Sequence, residues 1–206
     1  LELGYKELKD NYYDYGFTKP ISINFPSSAL GYINVKENVS KKELASLGYG
    51  YGVTISPFQI ASAYSVFANE GIFKDFKLLQ NSEVTSRKII SSDTAKHILE
   101  ALNMVIKDGT GKAAEIKGFS EGGKTGTVHR IKRGSGYAED SYRASFVGIT
   151  PLNNESLTIF VSIDEPDLNL YSGGAVAAPV FAKIAESSLN HLGYFQDEWT
   201  REYFRN

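Results

Sequence analysis

The sequence predicts an α+β fold in which an antiparallel sheet is covered by helices, and three observations carry that prediction. Up to residue 117 the apolar residues recur at helical spacing or lie among turns, whereas from Gly118 the pattern becomes extended. Segments 128–131, 143–150 and 157–163 then read as three strands. The gaps between them, polar or rich in Gly and Asn, suit hairpins and leave no room for a crossover helix. Last, Ala175 to Leu192 reads as a closing helix whose Val176, Val180, Phe181, Ile184, Ala185 and Leu189 would cover one sheet face. The expected organisation is one domain over 1–206: a mainly helical and loop part (1–117), three strands (118–163), the closing helix (175–192) and a tail (194–206).

The elements follow in order. A short helix carrying Leu1, Leu3, Tyr5 and Leu8 leads to the aromatic cluster Tyr12, Tyr13, Tyr15 and Phe17, then to turns at Pro20, Pro26, Ser27-Ser28 and Gly31. Lys41 to Leu47 is a brief amphipathic turn, and Gly48-Tyr49-Gly50-Tyr51-Gly52 is a tight loop packed by its aromatics. At Ser56-Pro57-Phe58-Gln59 a helix begins: Ser56 caps, Pro57 fits the first turn and Gln59 completes a capping box. Its apolar residues Phe58, Ile60, Ala61, Ala63, Tyr64, Phe67 and Ala68 wrap most of the circumference, so it should be largely buried. After an extended piece at Phe76 to Leu79, Ser92 caps a second helix with Ala95, Ile98, Leu99, Leu102, Val105 and Ile106 on one stripe up to Gly109. His97 lies off that stripe and reads, with His129 and His191, as a surface residue; no metal and no cofactor is expected.

Composition narrows the function classes. With 206 residues, one well-buried domain is the default. Lys plus Arg number 22 against 24 Asp plus Glu, so no basic face is available for phosphate backbones and nucleic acid is not an expected partner. No apolar run approaches the ~20 residues that span a bilayer. The absence of Cys removes disulfides, thiolate catalysis and Cys-ligated metals together. The chain starts without Met, inside a helical pattern, and so reads as a fragment with sequence missing upstream.

Chemistry is expected at Gly122-Gly123-Lys124-Thr125-Gly126-Thr127, a cation flanked by hydroxyls and by glycines that let a substrate backbone come close. Two functions use such a string. One is the Lys-Thr-Gly strand facing the serine of a penicillin-recognising enzyme. The other is a phosphate loop, because Gly118 to Thr125 fits G-x-x-x-x-G-K-[ST] and the apolar stretch 157–163 ends in Asp164. A phosphate loop must open a helix, since the helix N–H groups hold the anion. Gly126, Thr127, Val128 and Ile131 are poor helix formers, which favours the strand.

Separated stretches then fall together. Gly50-Tyr51-Gly52 with Thr54, Pro57, Gln59, Ala61, Ala63 and Tyr64, then Ala68-Asn69-Glu70-Gly71, Gly109 to Ala114, Gly123 to Thr127, Ala144 to Gly148, Asp164-Glu165-Pro166 and Tyr171 to Phe181 resemble, in that order, the second half of a class B penicillin-binding protein transpeptidase domain. The Gly-Tyr-Gly loop is more similar to the division-specific septal members than to the elongation type. This resemblance implies a membrane-anchored enzyme at the periplasmic face of the cell inner membrane, its anchor outside this chain. Its substrate would be peptidoglycan stem peptides ending in D-Ala-D-Ala, cross-linked by serine acyl transfer, and β-lactam antibiotics would acylate it. A divisome glycosyltransferase would be a partner. On the same comparison Lys124 would attract the terminal carboxylate, and the Thr125 and Thr127 hydroxyls would bind it. Gly123 and Gly126 would admit the substrate backbone, and the Thr127 N–H would be one oxyanion donor. These roles require Lys124 to stand on a strand with its ammonium facing a groove.

One departure limits the likeness. No Ser-x-x-Lys occurs in the sequence, and Ser22-Ile23-Asn24 and Ser188-Leu189-Asn190 fit Ser-x-Asn only literally. By family order the true elements would precede Leu1. The upstream half of the same domain is therefore an expected partner: it would supply the nucleophile and the missing strands, one of which would pair with 157–163 to cover an apolar edge. The fragment alone would be inactive. A non-catalytic scaffold module of the same fold, or a β-lactamase or antibiotic-sensor relative, is the alternative.

Overall fold

A computed structural model describes residues 3–20, 29–33, 39–81, 83–132, 136–152 and 155–194. Its organising element is a sheet of three long antiparallel strands, β5 (Gly122–Lys132), β6 (Gly136–Thr150) and β7 (Leu157–Asp164), in the order β5-β6-β7. Before them come α1 (Tyr5–Asp14), β1 (Tyr32–Ile33), α2 (Lys41–Gly48), β2 (Val53–Thr54), α3 (Pro57–Ala68), β3 (Ile72–Lys74), β4 (Ser86–Lys88) and α4 (Ser92–Lys107); α5 (Ala178–His191) follows. The α+β expectation holds.

Register assigns each sheet residue to a layer. Phe146 pairs with Val161, and Ala144 with Ile163, so their side chains share the face that α5 covers with Phe181, Ala185 and Leu189. Phe146 and Phe181 are fully buried with ring centroids 5.0 Å apart, and each contributes about 1.5–3 kcal/mol of burial. Ile149 points to the other face, where Leu102 and Leu152 join it beneath Tyr64, Phe67, Ile98 and Leu99 of α3 and α4. Helices thus lie on both faces, in three layers.

At the start of α3 the capping box forms as read, Ser56 accepting from the Gln59 N–H and Gln59 accepting from the Ser56 N–H. The buried Gln59 amide also donates to the carbonyls of Gly16, Phe17 and Lys19 at 3.1, 2.8 and 3.0 Å, which ties the end of α1 to α3. Gln59, Ala63 and Val66 are buried and most of the other α3 side chains partly so, but Phe58 stays half exposed against the ring of Phe76.

Other expectations need correction. Helix α1 begins at Tyr5 with Gly4 as its cap, so Leu3 precedes it. Lys41 to Leu47 is a full helical segment because Ser40 and Glu43 form a second capping box. In the loop that follows, Tyr49 and Tyr51 pack edge to face on each other at 5.5 Å, as read, although both rings remain exposed. The extended piece lies at Ile72–Lys74, earlier than Phe76 to Leu79, because it pairs with Ser86–Lys88. Ser91, not Ser92, caps α4. Strand β6 reaches back to Gly136, and the closing helix enters through a wide π-type turn at Gly173–Ala177 capped by Ser172. The turns at Pro26 and Ser27-Ser28, the Ser22-Ile23-Asn24 match and tail residues 195–206 lie outside the described residues. Among the described residues no helix is long and apolar enough to cross a membrane.

Candidate active site

The glycine-lysine string folds as β5, running without interruption from Gly122, and no helix follows the lysine. A phosphate loop is thereby excluded. β-Branched Thr125, Thr127 and Val128 favour the extended form, and β6 fixes the register: Lys124 opposite Val147, Thr125 opposite Phe146, Gly126 opposite Ser145, Thr127 opposite Ala144. Gly123 is buried, and a Cβ there would strike the Phe146 ring.

Alternation places Thr125 and Thr127 on the α5 side of the sheet and Lys124 and Gly126 on the other. The Thr125 hydroxyl lies 2.8 Å from that of Thr110. Thr127 Oγ1 accepts the Gly173 N–H at 3.0 Å. Both interactions come from turns that cross the same end of the sheet, Thr110 after α4 and Gly173 before α5. Lys124 is exposed, and its ammonium donates to the Thr125 carbonyl at 2.9 Å.

Further along the same face, His129 packs on Tyr142 at 4.5 Å and Tyr142 stacks on Tyr171 at 4.3 Å, so His129 is part of an aromatic row. Beside that row, Arg130 donates to Glu165 at 2.5 Å and Arg143 pairs with Asp164. Hydrogen bonding from Arg143, opposed by burial and aided by the charges of Arg143 and Arg130, holds the Asp164 carboxyl below its usual range, and the same contact raises the Arg143 guanidinium.

On the opposite face a groove of about 490 Å³ runs between the Gly50–Ile55 stretch with Pro57 and Ile60, and the sheet residues Val128, Arg143, Ser145, Phe160 and Ser162. Lys124, Thr125 and Thr127 are not among the residues that line it. Lys124 thus stands on a strand as expected, but the expectation that its ammonium faces a groove needs correction: the exposed side chain shares this face of the sheet without lining the groove.

Sequence reasoning missed two features here. Thr110 entered only within the stretch Gly109 to Ala114 that carries the resemblance, and its contact with Thr125 exists only in the folded chain. Glu121, one residue before β5, is buried with neither carboxylate oxygen hydrogen-bonded among the described residues. Burial pushes its carboxyl up to about 7; the Ile116 backbone N–H, outside hydrogen-bond geometry, and Lys107 oppose the rise, while Glu115 adds to it. Nothing in the sequence signals that this carboxylate is inside. Among the described residues no three His, Asp or Glu side chains cluster to hold a metal.

The family model for the penicillin binding protein transpeptidase domain matches residues 1–186. The chain is 36% identical over 194 residues to a probable peptidoglycan D,D-transpeptidase, PbpC, of Pseudomonas aeruginosa, covering 93% of this chain and 34% of that protein. It is 33% identical over 204 residues to stage V sporulation protein D of Bacillus subtilis, covering 93% and 31%. The chain thus spans about a third of the length of these relatives. Among solved structures, the TP domain of penicillin-binding protein 3 from Burkholderia pseudomallei superposes with a TM-score of 0.85 at 32% identity, over 95% of this chain and 60% of that one.

Proposed function

The chain belongs to the penicillin-binding protein transpeptidase family, and from that premise we propose that the whole protein is a serine-type D,D-transpeptidase. It cross-links peptidoglycan stem peptides ending in D-Ala-D-Ala and is acylated by β-lactams. One observation supports this reading above the others: Thr125 and Thr127 stand on the same face of β5, two residues apart, each with its oxygen engaged from the protein side.

A hydroxyl whose oxygen already accepts a hydrogen bond keeps its own proton for a ligand, and a carboxylate is an acceptor only. Thr127 is in that state. We assign Thr125 and Thr127 to the substrate or antibiotic carboxylate and the Thr127 N–H to the oxyanion that forms during acyl transfer. Lys124 supplies positive potential, and its ammonium swings from the Thr125 carbonyl towards the site when substrate is bound. Gly123 and Gly126 keep the strand slim where the donor peptide lies along it. The nucleophile is assigned to the part of the whole protein that this chain does not span.

A relative named for sporulation, and one named peptidoglycan D,D-transpeptidase FtsI, of Buchnera aphidicola, at 29% identity, support a septal role. A periplasm-facing, inner-membrane location and a divisome glycosyltransferase partner belong to the same proposal. Incubation of the whole protein with a fluorescent penicillin tests it. The expected result is one covalent adduct per chain, lost on competition with unlabelled drug. A folded whole protein that takes no label overturns the enzyme and favours a non-catalytic module.

A further inference from the structure

Three hydroxyl-bearing or N–H-bearing segments meet around Thr125, and one of them, the turn at Gly109-Thr110-Gly111, has no role in the account so far. Its backbone is held firmly. Gly109 and Gly111 donate to the carbonyls of Met104 and Val105 at the end of α4, at 3.1 and 2.9 Å. From the other side Gly174 presses on the Thr110 carbonyl so closely that a Cβ at Gly174 would collide with it. Gly173 sits as tightly over the backbone of Gly126 and Ser145. The two turns therefore touch each other and straddle Thr125 and Thr127.

With its backbone fixed, Thr110 holds its hydroxyl 2.8 Å from that of Thr125, where either oxygen can donate to the other. Two hydroxyls sharing one hydrogen bond consume one proton between them and leave the other free to donate outward. The Thr127 oxygen is occupied by the Gly173 N–H at 3.0 Å, which leaves its proton free as well. Both hydroxyl centres thus present protons, with the Lys124 ammonium on the same strand. Such a site suits a free carboxylate better than an ester, whose oxygens carry no charge and accept more weakly.

Resting on the proposed transpeptidase reading, we propose that Thr110 is a positioning residue. It holds the Thr125 hydroxyl as a donor and thereby sets the preference for ligands with a free carboxylate. In the whole protein, second-order acylation rates would be measured with benzylpenicillin and with its methyl ester, for wild type, Thr110→Val and Thr110→Ser. Thr110→Val is expected to slow benzylpenicillin about tenfold and the ester less than about twofold, so that the preference for the acid narrows. Thr110→Ser, which keeps the hydroxyl, is expected to restore it. Equal slowing of both ligands would mean a merely structural role and overturn the inference, as would an unchanged preference in Thr110→Val. A wild type acylated by neither ligand overturns the transpeptidase reading and this inference with it, whereas the first two outcomes leave that reading standing.

Discussion

Gln59 and Thr125 are polar side chains in packed parts of the molecule, and they are wired in opposite ways. The Gln59 amide is consumed internally: its oxygen takes the Ser56 N–H and its nitrogen serves three carbonyls of the segment after α1. Thr125 spends one interaction on Thr110 and keeps the remainder of the pair's hydrogen-bonding capacity for the outside. A polar group satisfied on every side fixes the fold, while one satisfied only from behind is poised for a ligand. Glu121 is a third case, buried with neither carboxylate oxygen satisfied among the described residues.

The sharpest way to break this contrast is at the ligand side. Lys124→Ala in the whole protein is expected to reduce penicillin acylation by roughly 10²–10³-fold with little change in melting temperature. A large loss of stability instead would move Lys124 to the structural side. At Gln59 the reverse pattern is expected. Gln59→Leu should cost about 3–4 kcal/mol in denaturant unfolding, because the buried and half-buried carbonyls of Gly16, Phe17 and Lys19 lose the amide that serves them, and a loss below about 1 kcal/mol would show those carbonyls to be solvated.

Glu121 sharpens the comparison through pH. Its folded-state value of about 7 lies above the ordinary 4.5, so the folded chain binds the proton more tightly than the unfolded one. The contribution to stability is complete below about pH 4.5, is lost as pH rises to about 7 and then levels off. At ~1.4 kcal/mol per pH unit the loss is about 3 kcal/mol. Glu121→Gln should flatten this part of the stability profile, and an unchanged slope would place the titration on another group. The smallest effect is expected at the exposed Arg143–Asp164 pair. Asp164→Asn should shift stability by less than about 1 kcal/mol, and the shift should shrink in high salt.

What was legible in the sequence was local. The Ser56-Pro57-Phe58-Gln59 box encodes its own helix start, and the β-branched run after Lys124 argued for a strand where a phosphate loop needs a helix. The same box rule applies to Ser40 and Glu43 but was masked by the short apolar pattern after it. Beyond a few residues the signal fades. Ser86–Lys88 pairs with Ile72–Lys74 although Ser, Arg and Lys carry little strand preference, so the hairpin comes from packing. The reach of Gln59 to Gly16 crosses 43 residues and that of Thr110 to Thr125 crosses 15. No periodicity records such contacts. Glu121 was hidden for a different reason, because a carboxylate beside glycines reads as surface and only the packing beneath β5 places it inside.

The central claim is that the β5 segment Lys124 to Thr127 recognises the carboxylate of the acylating ligand. A crystal structure of the whole protein acylated by a penicillin tests it most directly. The account predicts a carboxylate oxygen about 2.7–3.0 Å from the hydroxyls of Thr125 and Thr127, with Thr110 still bonded to Thr125. A carboxylate paired instead with Arg143 in the groove of the opposite face would contradict it.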